Sequence, residues 1–224
     1  VSLILLICSF PAFLSGILED LTKKILPLWR LLASFITALL FIFLTDYKII
    51  SLGIEFLDIY TNIFFVSSML TIFASVFLIQ ACNIIDGLNG LALGTSILIL
   101  TSIVLISLKI DDNLIFNLSY ISLFVIVGAF FWNFPNGKMF LGDGGAYLIG
   151  ALLSFYIIML SFRNLEVAPF SLFFLVIFPI YELLRTTIRR TFSNSAKAIE
   201  PDTKHLHSMI FKFIFGVYIN TILT

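Results

Sequence analysis

Charge is what this sequence has least of. Only 12% of its 224 residues are Asp, Glu, Lys or Arg, about half the share of a soluble domain, while 60% are hydrophobic. A chain so composed cannot cover a core with polar surface. An ordinary water-soluble domain is excluded, and a polytopic membrane protein is implied. The 13 basic residues balance the 13 acidic ones, so no charge excess points to nucleic acid and no such partner is expected. Cysteine is nearly absent as well. Cys8 and Cys82 fall in or at the end of apolar runs with no CxxC pair, which excludes a disulfide framework or a cysteine-rich zinc site. Both read as small packing residues. There is no repeat of 20–50 residues and no low-complexity tract, so residues 1–224 form one membrane domain without a soluble appendage.

What the chain has instead is apolar runs: 1–18, 28–45, 62–81, 91–108, 114–132, 146–162, 168–184 and 209–223. Most are about 17–20 residues, the length that spans a bilayer as a helix. Lipid offers the backbone no hydrogen-bond partner but itself, and the strand alternation of a barrel is missing. The expected fold is therefore all-α, a transmembrane bundle of about eight spans. The segment 51–60 is too short to span and is expected to lie at the interface as a short strand or helix. The chain opens inside an apolar run without an initiator Met or a basic leader. That run reads as the remainder of a spanning helix, not a targeting segment, and the expectation is a fragment.

Basic residues orient the spans. The loops 19–27, 82–90, 133–145 and 185–208 hold Lys23, Lys24, Lys138, Arg185, Arg189, Arg190, Lys197 and Lys204, with Arg30 and Lys212 nearby. The opposite loops hold only Lys48, Lys109 and Arg163. Ten against three places the first set in the cytoplasm.

That face also carries the polar clusters. Glu19-Asp20 could bind a divalent cation or act as a base; it is equally the pattern of a solvated helix end followed by Lys23 and Lys24. Asn83, Asp86 and Asn89 are spaced three apart and would share one face of a helix. Their oxygens suit Mg²⁺, amides can read a nucleobase edge, and Gly87 and Gly90 permit close approach; a glycine turn is the plainer reading. Phe140-Leu141-Gly142-Asp143-Gly144-Gly145 leads into a span, where backbone N–H groups can meet phosphate and Asp143 a metal, or where Asp is simply an N-cap. Phe140 could stack on a base. The only two histidines, His205 and His207, share a basic loop with Arg185, Arg189 and Lys204, a setting that can grip phosphate or donate a proton, or touch anionic lipid. Glu182 is expected to pair with Arg185 or Arg189 and to position that loop.

Taken in order, these clusters resemble the polyprenyl-phosphate N-acetylhexosamine-1-phosphate transferases, which include the phospho-MurNAc-pentapeptide translocases and the GlcNAc-1-phosphate transferases. The resemblance runs from about Phe13 to His207. The family's GxxDD motif stands as Gly16-Ile17-Leu18-Glu19-Asp20, with Glu in place of the first Asp. Its Asn-x-x-Asp-Gly motif is Asn83 to Gly90, its Phe-x-Gly-Asp motif Phe140 to Gly145, and its His motif His205-Leu206-His207, with Ser208 where a further His often stands.

The resemblance implies an enzyme of the cytoplasmic face of a bacterial inner membrane. A polyprenyl phosphate such as undecaprenyl phosphate would attack the β-phosphate of a UDP-N-acetylhexosamine and release UMP, starting envelope polysaccharide or O-antigen assembly. It implies Mg²⁺, with Mn²⁺ as the alternative, on Asp143 and Asn83. Asn89 and Phe140 would hold the uracil. His205, His207, Arg185, Arg189 and Lys204 would hold the diphosphate or sugar, and Asp20, Glu19 and Asp86 would be catalytic. The His-Leu-His spacing resembles the GlcNAc branch, and phospho-MurNAc-pentapeptide transfer is the alternative. Family members carry about ten or eleven spans, so the parts expected to be missing are the first two helices and the last one or two. A homodimer stays open, as does a non-catalytic scaffold or a transporter; transporters, however, place polar groups near the midplane in repeated halves.

Overall fold

The computed structural model describes residues 1–192, the side chains of 190–192 excepted. All regular structure among the described residues is helical: α1 (Ser2–Thr22), α2 (Pro27–Thr45), α3 (Glu55–Thr61), α4 (Phe64–Ile85), α5 (Leu91–Lys109), α6 (Asn113–Asn133), α7 (Gly142–Arg163), α8 (Pro169–Leu175) and α9 (Ile177–Phe192). Six of these are long and apolar enough to cross a bilayer, and α8 with α9 makes a seventh, bent span. Seven of the eight expected spans are thereby accounted for. The eighth, 209–223, lies outside the described residues. The outer surface of the bundle is apolar, with Phe43, Phe73, Leu98 and Phe131 exposed, as expected where the solvent is lipid. The chain is an integral membrane protein.

The seventh span departs from the expected straight helix. It breaks at Val176 with a bend of 66°. The reason lies three residues on, because Pro179 has no N–H for the Leu175 carbonyl and its ring would strike it. The 51–60 segment turns helical from Glu55, in α3, and forms no strand. Asp58 ties it down by accepting from Leu52 N (2.6 Å) and Ser51 Oγ (2.7 Å). Cys8 and Cys82 are buried free thiols.

α7 is the axis of the bundle. Its spanning window is 61% buried, against 17% for α6, and its buried face carries Gly144, Ala146, Gly150, Ala151 and Ser154. Small residues let neighbouring helix backbones close in where no hydrophobic effect drives association. α1 and α4 pack on α7, α2 fits between them, and α5 pairs with α6. Buried polar groups are met across interfaces: beside Pro11, the N–H of Ala12 donates to Thr37 Oγ1 of α2 (3.1 Å). At the end of α7 away from the motif loops, Arg163 and Asn164 donate to Asp112 at 2.8 and 3.0 Å, and Asp112 caps α6 through Ile115 N. Burial pushes the Asp112 carboxyl up, but these hydrogen bonds outweigh it and hold the group below the usual carboxylate range.

Candidate active site

The site forms where the ends of α1 and α4 meet the starts of α2 and α7. Its geometry begins with glycine. A Cβ on Gly16 would stand 2.4 Å from the backbone nitrogen of Gly144, and one on Gly144 would stand 2.8 Å from Ile17, so α1 and α7 cross backbone to backbone. One helical turn beyond Gly16, Asp20 reaches the first turn of α7. Its carboxylate accepts from Asp143 N (3.0 Å) and Gly144 N (3.1 Å). Gly142, at φ 69°, leaves room for that carboxylate, which a Cβ would meet at 2.6 Å. The two N–H groups expected to meet phosphate are therefore taken by Asp20, an anion supplied from the neighbouring helix. Asp143 itself sits inside the first turn and is not the N-cap, which is Leu141.

Asp143 is the meeting point of the site. Arg30 Nη1 donates to its Oδ2 at 2.6 Å, and Asn83 Nδ2 donates to its Oδ1 at 2.9 Å. Three helices thus converge on one carboxylate. Tyr147, one turn further along α7 and fully buried, places its hydroxyl beside the Arg30 guanidinium. The expected shared face of Asn83, Asp86 and Asn89 is not found. α4 ends at Ile85, and residues 86–90 form a turn closed by Asp86 N to Asn83 O (3.2 Å) and by Gly90 at φ 81°. Asn83 alone is helical, because the two glycines that follow favour a turn over a further helical turn.

Asp86 feels both other acids. Burial first, then the charges of Asp143 and Asp20, push its carboxyl up to about 6. Its proton is held more tightly in the folded chain than in the unfolded one. Stability from this group is therefore fully present below the unfolded value near 3.8 and is lost as pH rises towards about 6. Asp86→Asn is expected to raise the thermal unfolding midpoint at pH 7 in metal-free detergent solution and to leave it unchanged at pH 3.5. An equal shift at both pH values would assign the effect to packing and not to charge.

The remaining expected residues are placed as follows. Glu19 turns to its own loop, where it accepts from Ile25 N at 2.8 Å. Asn89 packs on Gly137, whose Cβ would stand 2.6 Å from Asn89 Nδ2. Phe140 is 77% exposed, so packing does not account for this ring. Buried Asn133 ties their two loops together, accepting from Gly90 N and donating to Met139 O at 2.8 Å. On α9, fully buried Glu182 stands 4.0 Å from Arg185 Nη1, the pairing expected from their spacing; Arg189 follows one turn on. His205, His207 and Lys204 lie outside the described residues.

Arg30, Asn133 and Tyr147 were not legible as site residues. Arg30 had a signal: a guanidinium in the first turns of an apolar helix must find a partner. The donor set, three carboxylates and an amide, is hard oxygen chemistry suited to Mg²⁺. Burial is the first cause of the raised Asp86 carboxyl, and the charges of Asp143 and Asp20 add to it; a bound cation would relieve that added part. No three His, Cys, Asp or Glu side chains among the described residues gather closely enough to hold an ion alone. An ion held here would need further ligands, such as the substrate phosphates on which Mg²⁺ commonly relies.

Comparison with known proteins identifies the family. Residues 2–161 match the model of glycosyl transferase family 4, and the chain belongs to that family. It is similar to a Bacillus subtilis protein named probable undecaprenyl-phosphate N-acetylglucosaminyl 1-phosphate transferase, with 32% identity over 64% of this chain and 40% of that one. The undecaprenyl-phosphate alpha-N-acetylglucosaminyl 1-phosphate transferase of Thermotoga maritima is 29% identical over 89% of this chain and 58% of its own length. The phospho-N-acetylmuramoyl-pentapeptide-transferase of Staphylococcus haemolyticus is 29% identical over 70% and 49%. The chain thus spans about half the length of the curated relatives it matches.

Proposed function

We propose that this member of glycosyl transferase family 4 carries the catalytic face of a phosphoglycosyl transferase. It moves N-acetylhexosamine-1-phosphate from a UDP-sugar to undecaprenyl phosphate in a bacterial inner membrane and releases UMP. The observation that carries the reading is the convergence of Asp20, Asn83 and Asp143, drawn from three separate motifs, on one end of the bundle. The relatives' names support the polyprenyl phosphate and the N-acetylglucosaminyl 1-phosphate group; the UDP carrier is part of the proposal.

In this reading a phosphate oxygen of the lipid attacks the β-phosphorus. A new P–O bond forms there, the bond to the bridging oxygen breaks, and UMP carries away the electron pair. Phosphoryl transfer asks a protein mainly to position groups and to neutralise charge. Asp143 and Asn83 would hold Mg²⁺ or Mn²⁺, which offsets phosphate charge when bound. Asp20 serves by position: both its oxygens fix the start of α7, and a phosphate monoester is largely ionised at pH 7 without a base. Asp86, whose carboxyl is pushed up to about 6 by burial and then by its acidic neighbours, suits any proton the lipid phosphate still carries. Exposed Phe140 stacks on the uracil beside Asn89. Arg185 and Arg189 are assigned to the diphosphate in this reading, as are Lys204, His205 and His207 by their motif alone, since these three lie outside the described residues. The lipid tail lies along an apolar groove of about 460 Å³ between α4, α7 and the bent α8–α9 pair, lined by Phe73, Phe77, Leu172, Val176 and Ile180.

Full-length protein in bilayers, given UDP-GlcNAc, undecaprenyl phosphate and Mg²⁺, is expected to release UMP and form a lipid-diphospho-sugar identified by mass. Turnover only with UDP-MurNAc-pentapeptide would favour the peptidoglycan branch. No UMP from either nucleotide would leave a scaffold or a transporter.

A further inference from the structure

We propose that Arg30 is the resident cation of this site: it occupies the carboxylate that a divalent ion needs, and it keeps the ion out until a phosphate-bearing ligand draws the guanidinium away. The inference rests on the reading of Asp143 as the metal ligand and extends it to how metal and nucleotide are ordered.

Four observations carry it. Arg30 Nη1 lies 2.6 Å from Asp143 Oδ2, the distance of a strong charge-assisted hydrogen bond. The other carboxylate oxygen is taken by Asn83 Nδ2 at 2.9 Å, so both oxygens of Asp143 face donors. The guanidinium is mostly buried, with its side chain 20% exposed, and the Tyr147 hydroxyl lies beside it. Its Nε is buried and makes no hydrogen bond, so one donor of the group is unspent while it rests on Asp143.

A divalent ion arriving alone must displace this guanidinium and then sit beside it, two cations sharing one carboxylate at short range. A diphosphate removes both obstacles. It supplies the anionic oxygens that a planar guanidinium grips well, including a partner for Nε, and it brings the ligands that the protein does not provide for the ion. Metal and nucleotide should therefore bind with positive coupling, and by linkage each must strengthen the other equally.

The test is Mn²⁺ binding to the purified full-length protein in detergent, read by the electron paramagnetic resonance signal of free Mn²⁺. No turnover is involved. Without nucleotide, Arg30→Gln is expected to bind Mn²⁺ about tenfold more tightly than the native protein, within the usual range of coupling between two sites. Arg30→Lys retains the competing charge and should stay within about threefold of native by the same scale. Saturating UDP, corrected for Mn²⁺ bound by UDP alone, should tighten Mn²⁺ on the native protein and change Arg30→Gln much less. Asp143→Asn should remove the binding in both backgrounds. If Arg30→Gln binds Mn²⁺ no more tightly than native while Asp143→Asn still abolishes it, Arg30 is a structural ion pair and the inference fails alone. If Asp143→Asn leaves Mn²⁺ affinity unchanged, the metal site itself is misplaced and the inference falls with it. A poorly folded Arg30→Gln, recognised by its unfolding midpoint, would be replaced by Arg30→Met, with the same expected gain.

Discussion

Asp143→Asn is expected to lower transfer by about a thousandfold, the upper end for losing one preorganised electrostatic group, while the protein remains folded in the membrane. The substitution keeps volume and changes charge at the one residue where three helices meet. Asparagine keeps an oxygen for Arg30 and can turn its NH₂ to Asn83, whose amide turns over to accept it. The two hydrogen bonds can therefore persist, and what is lost is the charge. Arg30 thereby loses its counter-charge while mostly buried. Breaking a fully buried pair costs about 3–5 kcal/mol; this pair is partly solvated, so about 1–2 kcal/mol is expected once solvent screening is counted. The two effects separate cleanly. Initial rates of UMP release report the loss of chemistry, and thermal unfolding in detergent reports the smaller loss of stability. Turnover within tenfold of native would remove Asp143 from the reaction, whatever its part in packing.

The contrast between Asp143 and Arg30 shows how far the sequence could be read. Motif residues with distinctive composition, such as Asp143 between glycines or Asn83 ahead of Asp86, stand out from an apolar background because each is costly to place there. Their convergence follows once alternate span boundaries fall on one face. Arg30 is just as costly to place in an apolar helix, but no motif around it says what it does. Its meaning depends on a partner 113 residues away, which only the crossing of α2 with α7 supplies. The Asp112–Arg163 pair is hidden for the same reason. Spacing misled where local turn chemistry competed with helical periodicity: three polar residues at intervals of three imply a helix face, but Gly87 and Gly90 turn the chain after Ile85. At the seventh span the hydropathy ran on unbroken, and only the missing N–H of Pro179 marked the bend.

The second large effect is expected from a residue with no side chain. Gly16→Ala should lower transfer by about a hundredfold without touching any charged group. The added Cβ would lie 2.4 Å from Gly144 N and 2.5 Å from Gly144 Cα, and backbone cannot rotate away as a side chain can. α1 must back off from α7 by about 1 Å, enough of a misplacement to cost about a hundredfold when reacting groups are held by geometry. The shift is transmitted by Asp20, one turn along α1, whose 3.0 and 3.1 Å hydrogen bonds set the start of α7 and hence Asp143. Overpacking of this kind also costs about 1–3 kcal/mol of stability. Gly128→Ala in α6 is the matched control, since its Cβ would meet nothing within 4 Å. The better helix propensity of Ala there should leave stability unchanged or raised by up to about 1 kcal/mol, with native turnover. UMP release and unfolding midpoints of the two variants, measured side by side, decide the matter. Native activity in Gly16→Ala would mean that the α1–α7 crossing does not set the active geometry, and that Asp20 acts on its own account.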